Sequence, residues 1–359
     1  AVLADGTVIP AMNRMIKNNA AYDVKQLLIG SEGTLGVITR LVLRLRESPR
    51  STQSALVACP TFADVTRFLK HIDGALGGSL SAFELMWNGF YRMVTTPPAK
   101  GTPPLPQTHD YYVLVESAGG DPTRDQAQFE EAIAAAIEAG PVVDAVVCSS
   151  EAQRDALWAL RDDVEGIFRL GMPVAFDVSL PLAEMEGYVT EVVGRLEREW
   201  PAYSRFVFGH LGDGNLHIIA AGPPSAEARH GIERCVYEPL VSRGGSISAE
   251  HGIGLEKLPW LSLCRSPAEI ALMQKLKQAL AQWNELQQEH AEGISFLEGM
   301  RLLAGTQLQS SESVNDETRQ WSSVTSGAWL AEILQQIRDP HGIVGCDPGI
   351  GLNATLRPY

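Results

Sequence analysis

The stretch Phe208-Gly209-His210-Leu211-Gly212-Asp213-Gly214-Asn215-Leu216-His217-Ile218 reads as a strand, a tight glycine-rich turn and a returning strand. Gly212, Gly214 and Asn215 are residue types that tolerate positive φ, and Asp213-Gly214-Asn215 is hairpin chemistry. In one unbroken strand, His210 and His217 would face opposite sides of the sheet. A chain reversal between them lets both imidazoles converge on one point, and convergent imidazoles bind metal.

A third ligand comes from Gly244-Gly245-Ser246-Ile247-Ser248-Ala249-Glu250-His251-Gly252-Ile253-Gly254, a short strand running into glycines where its Glu-His pair stands. His210, His217 and Glu250 make a zinc or manganese site with positions left open for substrate. His251 then stands beside the metal as general base, because a neutral imidazole near pH 7 can take a proton from a hydroxyl. The competing reading of each histidine is a solvated loop residue.

The composition sets bounds. A chain of 359 residues, 45% of them apolar, is long enough for two domains with ordinary cores. A formal charge of −14 argues against a nucleic-acid surface and for small-molecule partners. Five scattered cysteines without a Cys-x-x-Cys pair point to a reducing compartment, hence the cytoplasm. No apolar run is long enough to span a bilayer, so any membrane association is peripheral. The first residues already read as mid-sheet, which marks the chain as an N-terminally truncated piece.

Taken in order, Val2 to Ile9 is a hairpin with Asp5-Gly6 at its turn. Leu28-Ile29-Gly30-Ser31-Glu32-Gly33-Thr34-Leu35-Gly36-Val37-Ile38-Thr39 is a glycine-rich turn before an alternating strand from Arg40 to Arg46. Its backbone amides can meet a phosphate or a flavin edge, although it matches neither the dinucleotide fingerprint nor a P-loop. Strands are expected at Ser54–Cys59, Ser79–Leu85, Tyr111–Ser117, Val142–Cys148, Val174–Leu180, Arg205–Gly209, Leu216–Ala220 and Ser246–Ala249. Helices are expected at Phe62–His71, Thr123–Glu138, Glu151–Leu170, Leu182–Trp200, Ala226–Val241 and Pro267–Leu280. This alternation predicts an α+β domain with helices on one face of a largely antiparallel sheet. The proline-rich run Thr95 to Pro106 is a loop.

Three of these motifs carry a resemblance. Leu28 to Thr39 resembles the closing segment of the flavin-binding domain in vanillyl-alcohol-oxidase-type flavoproteins. Phe208 to His217 and Ser248 to Lys257 resemble the two signatures of the C-terminal domain in the FAD-linked oxidases, a branch that includes D-lactate, glycolate and D-2-hydroxyglutarate dehydrogenases. The resemblance implies the end of a PCMH-type FAD-binding domain over 1–47 and a substrate and metal domain over 48–280. A polar insertion over 281–338 and a tail over 339–359 would follow.

It also implies roles. FAD would meet Gly30, Ser31, Glu32, Gly33, Gly36, Val37 and Ile38, and Arg161 would pair with a substrate carboxylate, a task its planar fork suits. Taken alone, Arg161 in Leu160-Arg161-Asp162-Asp163 reads equally as a surface ion pair. Asn215 would orient the substrate or the flavin edge. The implied reaction is oxidation of a D-2-hydroxy acid to the 2-oxo acid. In it His251 takes the hydroxyl proton, hydride goes to the flavin, and electrons pass on to an electron-transfer flavoprotein, a cytochrome or a quinone. A homodimer is the expected assembly.

Two departures refine this. Relatives acting on 2-hydroxydiacids carry a lysine just before the Asp of the strand that here reads Val174-Ala175-Phe176-Asp177, so a lactate- or glycolate-like monoacid is favoured. The closing motif is reduced to Asp347-Pro348-Gly349-Ile350. A metal-dependent hydrolase and a non-catalytic metal-binding fragment are the rival readings.

Overall fold

The computed structural model describes residues 1–4 and 6–280 of the chain. Asp5, the expected insertion 281–338 and the expected tail 339–359 lie outside them. The described residues divide into one unit that holds those up to 41 together with 275–280 and another over 42–274.

In the first unit Val2 bridges both Val8 and Val37 in antiparallel fashion, the latter through reciprocal backbone hydrogen bonds of 2.8 Å. A single helical turn, α1 (Lys25–Leu28), precedes the glycine-rich segment. Gly30 and Gly33 have φ of +77° and +74°, as the turn requires. The expected strand Arg40–Arg46 does not form. Leu41, Val42, Leu43 and Leu45 are exposed, and the segment has no ladder partner among the described residues.

The second unit is built on seven strands: β1 (Ser51–Cys59), β2 (Leu80–Trp87), β3 (Tyr111–Gly119), β4 (Asp144–Val147), β5 (Met172–Ser179), β6 (Ser204–His210) and β7 (Asn215–Gly222). They form one sheet in the order β4-β1-β3-β2-β6-β7-β5, antiparallel at every pairing. Its helices are α2 (Phe62–Leu76), α3 (Asn88–Thr95), α4 (Pro122–Glu138), α5 (Glu151–Arg161), α6 (Met185–Glu199) and α7 (Ala226–Val241). α8 (Pro267–Leu280) runs across the boundary between the units. Caps fix several starts: the Thr61, Asp121, Ser150 and Ser225 side chains each accept from a backbone N–H in the first helical turn.

Helices cover both faces of the sheet, not one. Ala55, Val57 and Cys59 of β1 belong to the core on one face, to which α2, α4, α6 and α7 contribute, while Leu56 and Ala58 belong to the core on the other, to which α3 and α5 contribute. The unbroken apolar run Ala55 to Cys59 is what a strand buried on both sides looks like. The expectation missed α3, which opens with the turn-like pair Asn88-Gly89. Its stability comes from packing: Phe90 stacks on Phe208 at 4.2 Å and Tyr91 on Tyr112 at 3.6 Å between ring centroids. The expected helix Glu151–Leu170 stops at Arg161 and resumes as 3-10 turns over Val164–Leu170. The expected strand Ser246–Ala249 is reduced to one bridge between Ser179 and Ser246, after which the Ser248 and Ala249 amides turn to the side chains of Ser246 and Asp177.

Candidate active site

β6 ends at His210, a 3-10 turn spans Leu211–Asp213, and Gly214 closes it in the left-handed region at φ +73°. β7 then starts at Asn215. Two strands can come this close because Gly209 lacks a side chain: a Cβ there would overlap the Asn215 carbonyl oxygen and stand 2.9 Å from the Leu216 Cα. The reversal does what its sequence implied. The His210 and His217 rings lie 5.3 Å apart, nearly perpendicular, and His251 stacks 6.1 Å from His217.

Glu250 completes the group. One donor atom from each of His210, His217 and Glu250 lies within 4.8 Å of the other two. Donors at 2.0–2.2 Å from a single ion would be roughly 3.5 Å apart, so a small contraction closes the set. His217 supplies the free lone pair that ligation needs: burial, with the positive charges of Arg161 and His210, pushes its pKa down to about 3. The donor chemistry therefore fits a divalent ion.

Two buried carboxylates, to which the sequence alone assigns no role, organise the cluster. Glu84 on β2 is 5% exposed. It accepts from His210 Nδ1 at 2.7 Å and from Arg161 Nε at 2.9 Å. An ionised carboxylate only accepts, so Nδ1 carries the proton, while the Nε2 lone pair accepts from Arg161 Nη2 at 3.2 Å, a bond that ligation of an ion would have to replace. Burial opposes the charge on Glu84, but the hydrogen bond from His210 and the Arg161 charge outweigh it and keep its pKa below the usual range. Asp177 on β5 is 1% exposed. Its Oδ2 accepts from the backbone N–H of Ala249 (3.1 Å), Glu250 (2.9 Å) and His251 (2.8 Å). Lys257 Nζ stands 3.8 Å from the same oxygen and donates to Ser248 Oγ at 3.1 Å. The available signal was a lone acid inside an apolar run, Phe83-Glu84-Leu85 and Phe176-Asp177-Val178.

Arg161 is brought into the same group. Besides Glu84, it donates from Nη1 to Asp162 at 3.3 Å and from Nη2 to His210 Nε2 at 3.2 Å, and its guanidinium lies 5.2 Å over the Phe208 ring. The surface-pair reading fails, since the side chain is 11% exposed. Asn215 is 3% exposed, and neither polar atom of its side chain has a hydrogen-bond partner among the described residues. Native proteins rarely leave a buried amide so, and a missing ligand is one explanation. The His251 side chain is 60% exposed, with Nδ1 3.9 Å from Asp177 Oδ2. Gly30, Ser31, Glu32, Gly33, Gly36, Val37 and Ile38 all lie in the first unit.

Comparison with known proteins follows the same lines. A bovine protein named D-2-hydroxyglutarate dehydrogenase, mitochondrial, is 37% identical over 282 residues, covering 78% of this chain and 51% of that protein. A D-2-hydroxyglutarate dehydrogenase of Xanthomonas citri pv. viticola is 34% identical over 285 residues, covering 78% and 59%. A Schizosaccharomyces pombe protein provisionally named a mitochondrial D-lactate dehydrogenase is 37% identical over 289 residues, covering 77% and 55%. The chain thus spans about half the length of the curated relatives it matches. An alkyldihydroxyacetonephosphate synthase structure shares the fold, with a TM-score of 0.50 at 13% identity over 74% of this chain and 48% of that one.

These names give the hydrolase reading no support, and two of them are mitochondrial, so a cytoplasmic location is not supported either. No helix among the described residues is long and apolar enough to cross a membrane. Residues 48–281 match the family model described as FAD linked oxidases, C-terminal domain, and the chain belongs to that family.

Proposed function

We propose that the chain serves FAD-dependent oxidation of a D-2-hydroxy acid to the 2-oxo acid, assisted by a divalent zinc or manganese ion. The observation that carries this is the convergence of His210, His217, Glu250, Arg161 and His251 within a domain of the FAD linked oxidase family. When bound, the flavin supplies the two-electron acceptor and the ion supplies a Lewis acid.

The chain's own residues supply position and proton handling. His210, His217 and Glu250 hold the ion. Arg161 receives the substrate carboxylate with the remaining N–H groups of its Nη edge, one N–H of each Nη facing Asp162 and His210 and its Nε committed to Glu84. His251 takes the hydroxyl proton at Nε2, its Nδ1 standing 3.9 Å from Asp177 Oδ2. The unpartnered amide of Asn215 orients the substrate. The segment Gly30, Ser31, Glu32, Gly33, Gly36, Val37 and Ile38 contacts FAD. Electrons leave to an electron-transfer flavoprotein, a cytochrome or a quinone, and the protein works as a homodimer.

A monoacid of lactate or glycolate type is favoured over a diacid. Ala175, exposed on β5, brings no cation for a second carboxylate. In the FAD- and metal-loaded protein, D-lactate should bleach the flavin bands with a higher kcat/KM than D-2-hydroxyglutarate; the reverse order would sink the monoacid preference. His251→Ala should lower turnover on the order of 10²–10⁴-fold with metal content intact. A protein that carries metal yet reduces no dye with any D-2-hydroxy acid would overturn the reading.

A further inference from the structure

The four strands under the site divide their labour. The inner pair, β6 and β7, carries the two histidines, and the outer pair carries a carboxylate opposite each: Glu84 stands across from His210 and Asp177 across from His217 in the strand register. Neither acid is among the three candidate metal ligands. A carboxylate buried in an apolar sheet costs several kcal/mol unless its charge is met. Here both charges are met by parts of the site rather than by the core.

We propose that Glu84 and Asp177 are the positioning residues of the metal site: Glu84 orients two side chains, His210 and Arg161, and Asp177 orients the backbone that carries Glu250 and His251. This rests on the metal-assisted reading above and deepens it. Glu84 uses its two oxygens separately, Oε1 for His210 Nδ1–H and Oε2 for Arg161 Nε–H. One planar group therefore sets the imidazole tautomer and the angle of the guanidinium together. Outer partners of this kind raise ligand basicity and hold ring orientation.

Asp177 works through the main chain. Three successive N–H groups reach one oxygen only when the backbone curls into a concave nest, an arrangement that selects an anion. Ser248 Oγ adds a fourth contact at 3.3 Å. The curl fixes the Glu250 Cα against β5, and so against His217 on the neighbouring strand. The Ser179–Ser246 bridge anchors the start of this loop, and the carboxylate extends the hold to the residues that carry the third ligand.

The test titrates the chain with cobalt(II) alone and follows its visible absorption bands, which report both affinity and ligand geometry. Glu84→Gln and Asp177→Asn are compared with Glu116→Gln. Glu116 is a carboxylate on β3 of the same sheet that accepts from Ser54 Oγ and Trp158 Nε1 and touches no candidate ligand. Glu84→Gln and Asp177→Asn should each weaken cobalt binding about 10–100-fold and shift the bands, while Glu116→Gln binds as the parent does. If Asp177→Asn fails to fold, Ser248→Ala replaces it, with a loss of a few fold. Parent-like binding by Glu84→Gln and Asp177→Asn, or equal weakening by Glu116→Gln, overturns the proposal. A parent chain that binds no cobalt instead removes the metal site itself, and the positioning pair with it.

Discussion

The two halves of the sheet use the same material differently. In the β4-β1-β3 half, β1 and β3 pair without interruption from Ser51↔Gly119 to Cys59↔Tyr111, and the acid on β3, Glu116, accepts from neutral donors, Ser54 Oγ and Trp158 Nε1. In the β2-β6-β7-β5 half, pairing stops where the chemistry stands. His210 ends β6, Asn215 starts β7, and the β5 ladder gives way at Ser179 to the loop bearing Glu250 and His251. Its acids, Glu84 and Asp177, meet an arginine, a histidine and a curled backbone. Regular ladders satisfy every backbone group and leave nothing for a ligand. Groups become available where a ladder ends, and buried charge is tolerated there because it holds them.

The sharpest way to break this contrast is Gly209→Ala. Its new Cβ would meet backbone of β7, which cannot yield as a side chain can. Stability should fall by about 3 kcal/mol in urea denaturation, at the upper end for overpacking, and cobalt binding should disappear. Retained binding would show that the site does not depend on the close approach of β6 and β7. Next comes Leu114→Ala, fully buried on β3 in the other half. It should cost about 2–5 kcal/mol, while cobalt affinity, measured well below the melting transition, stays unchanged. A parallel loss of affinity would mean that the halves are not independent.

The smallest effect belongs to neither half's core. Glu191 on α6 pairs with Arg195 at 2.7 Å and with Arg243 at 2.7 Å. Burial opposes its charge, but the hydrogen bonds and charges of Arg243 and Arg195 prevail and depress its pKa. A depressed carboxyl contributes stability above its unfolded pKa, and the contribution is lost as pH falls through the folded value. Glu191→Gln should therefore cost no more than about 1 kcal/mol at pH 7, with the deficit vanishing on acidification toward that lower value. A deficit that persists in acid would assign the effect to packing instead.

Much of the molecule was legible in the residues. The helix Ala226–Val241 lies where its periodicity put it, capped by Ser225. The hairpin was readable because Asp-Gly-Asn chemistry is local, and once the chain reverses there the two histidines must approach. Three features were not. Helix α3 is short, opens on Asn-Gly, and forms because Phe90 and Tyr91 find rings supplied by β6 and β3. The Ser246–Ala249 segment has strand propensity, yet beyond Ser246 its amides leave the ladder, that of Ser248 for the Ser246 hydroxyl and that of Ala249 for Asp177, some seventy residues earlier in the chain. The resemblance singles out Arg161, but nothing local to it shows that Glu84, 77 positions away, would hold its Nε.

The sequence by itself determined the ladder periods, the reversal between His210 and His217 and the glycine positions that permit it, because these depend on φ preferences and side-chain alternation within a few residues. Only the tertiary structure decided which buried acid stands behind which ligand. That pairing is set by strand order, β2 beside β6 and β5 beside β7, and strand order is a contest among long-range burials that no local stretch encodes.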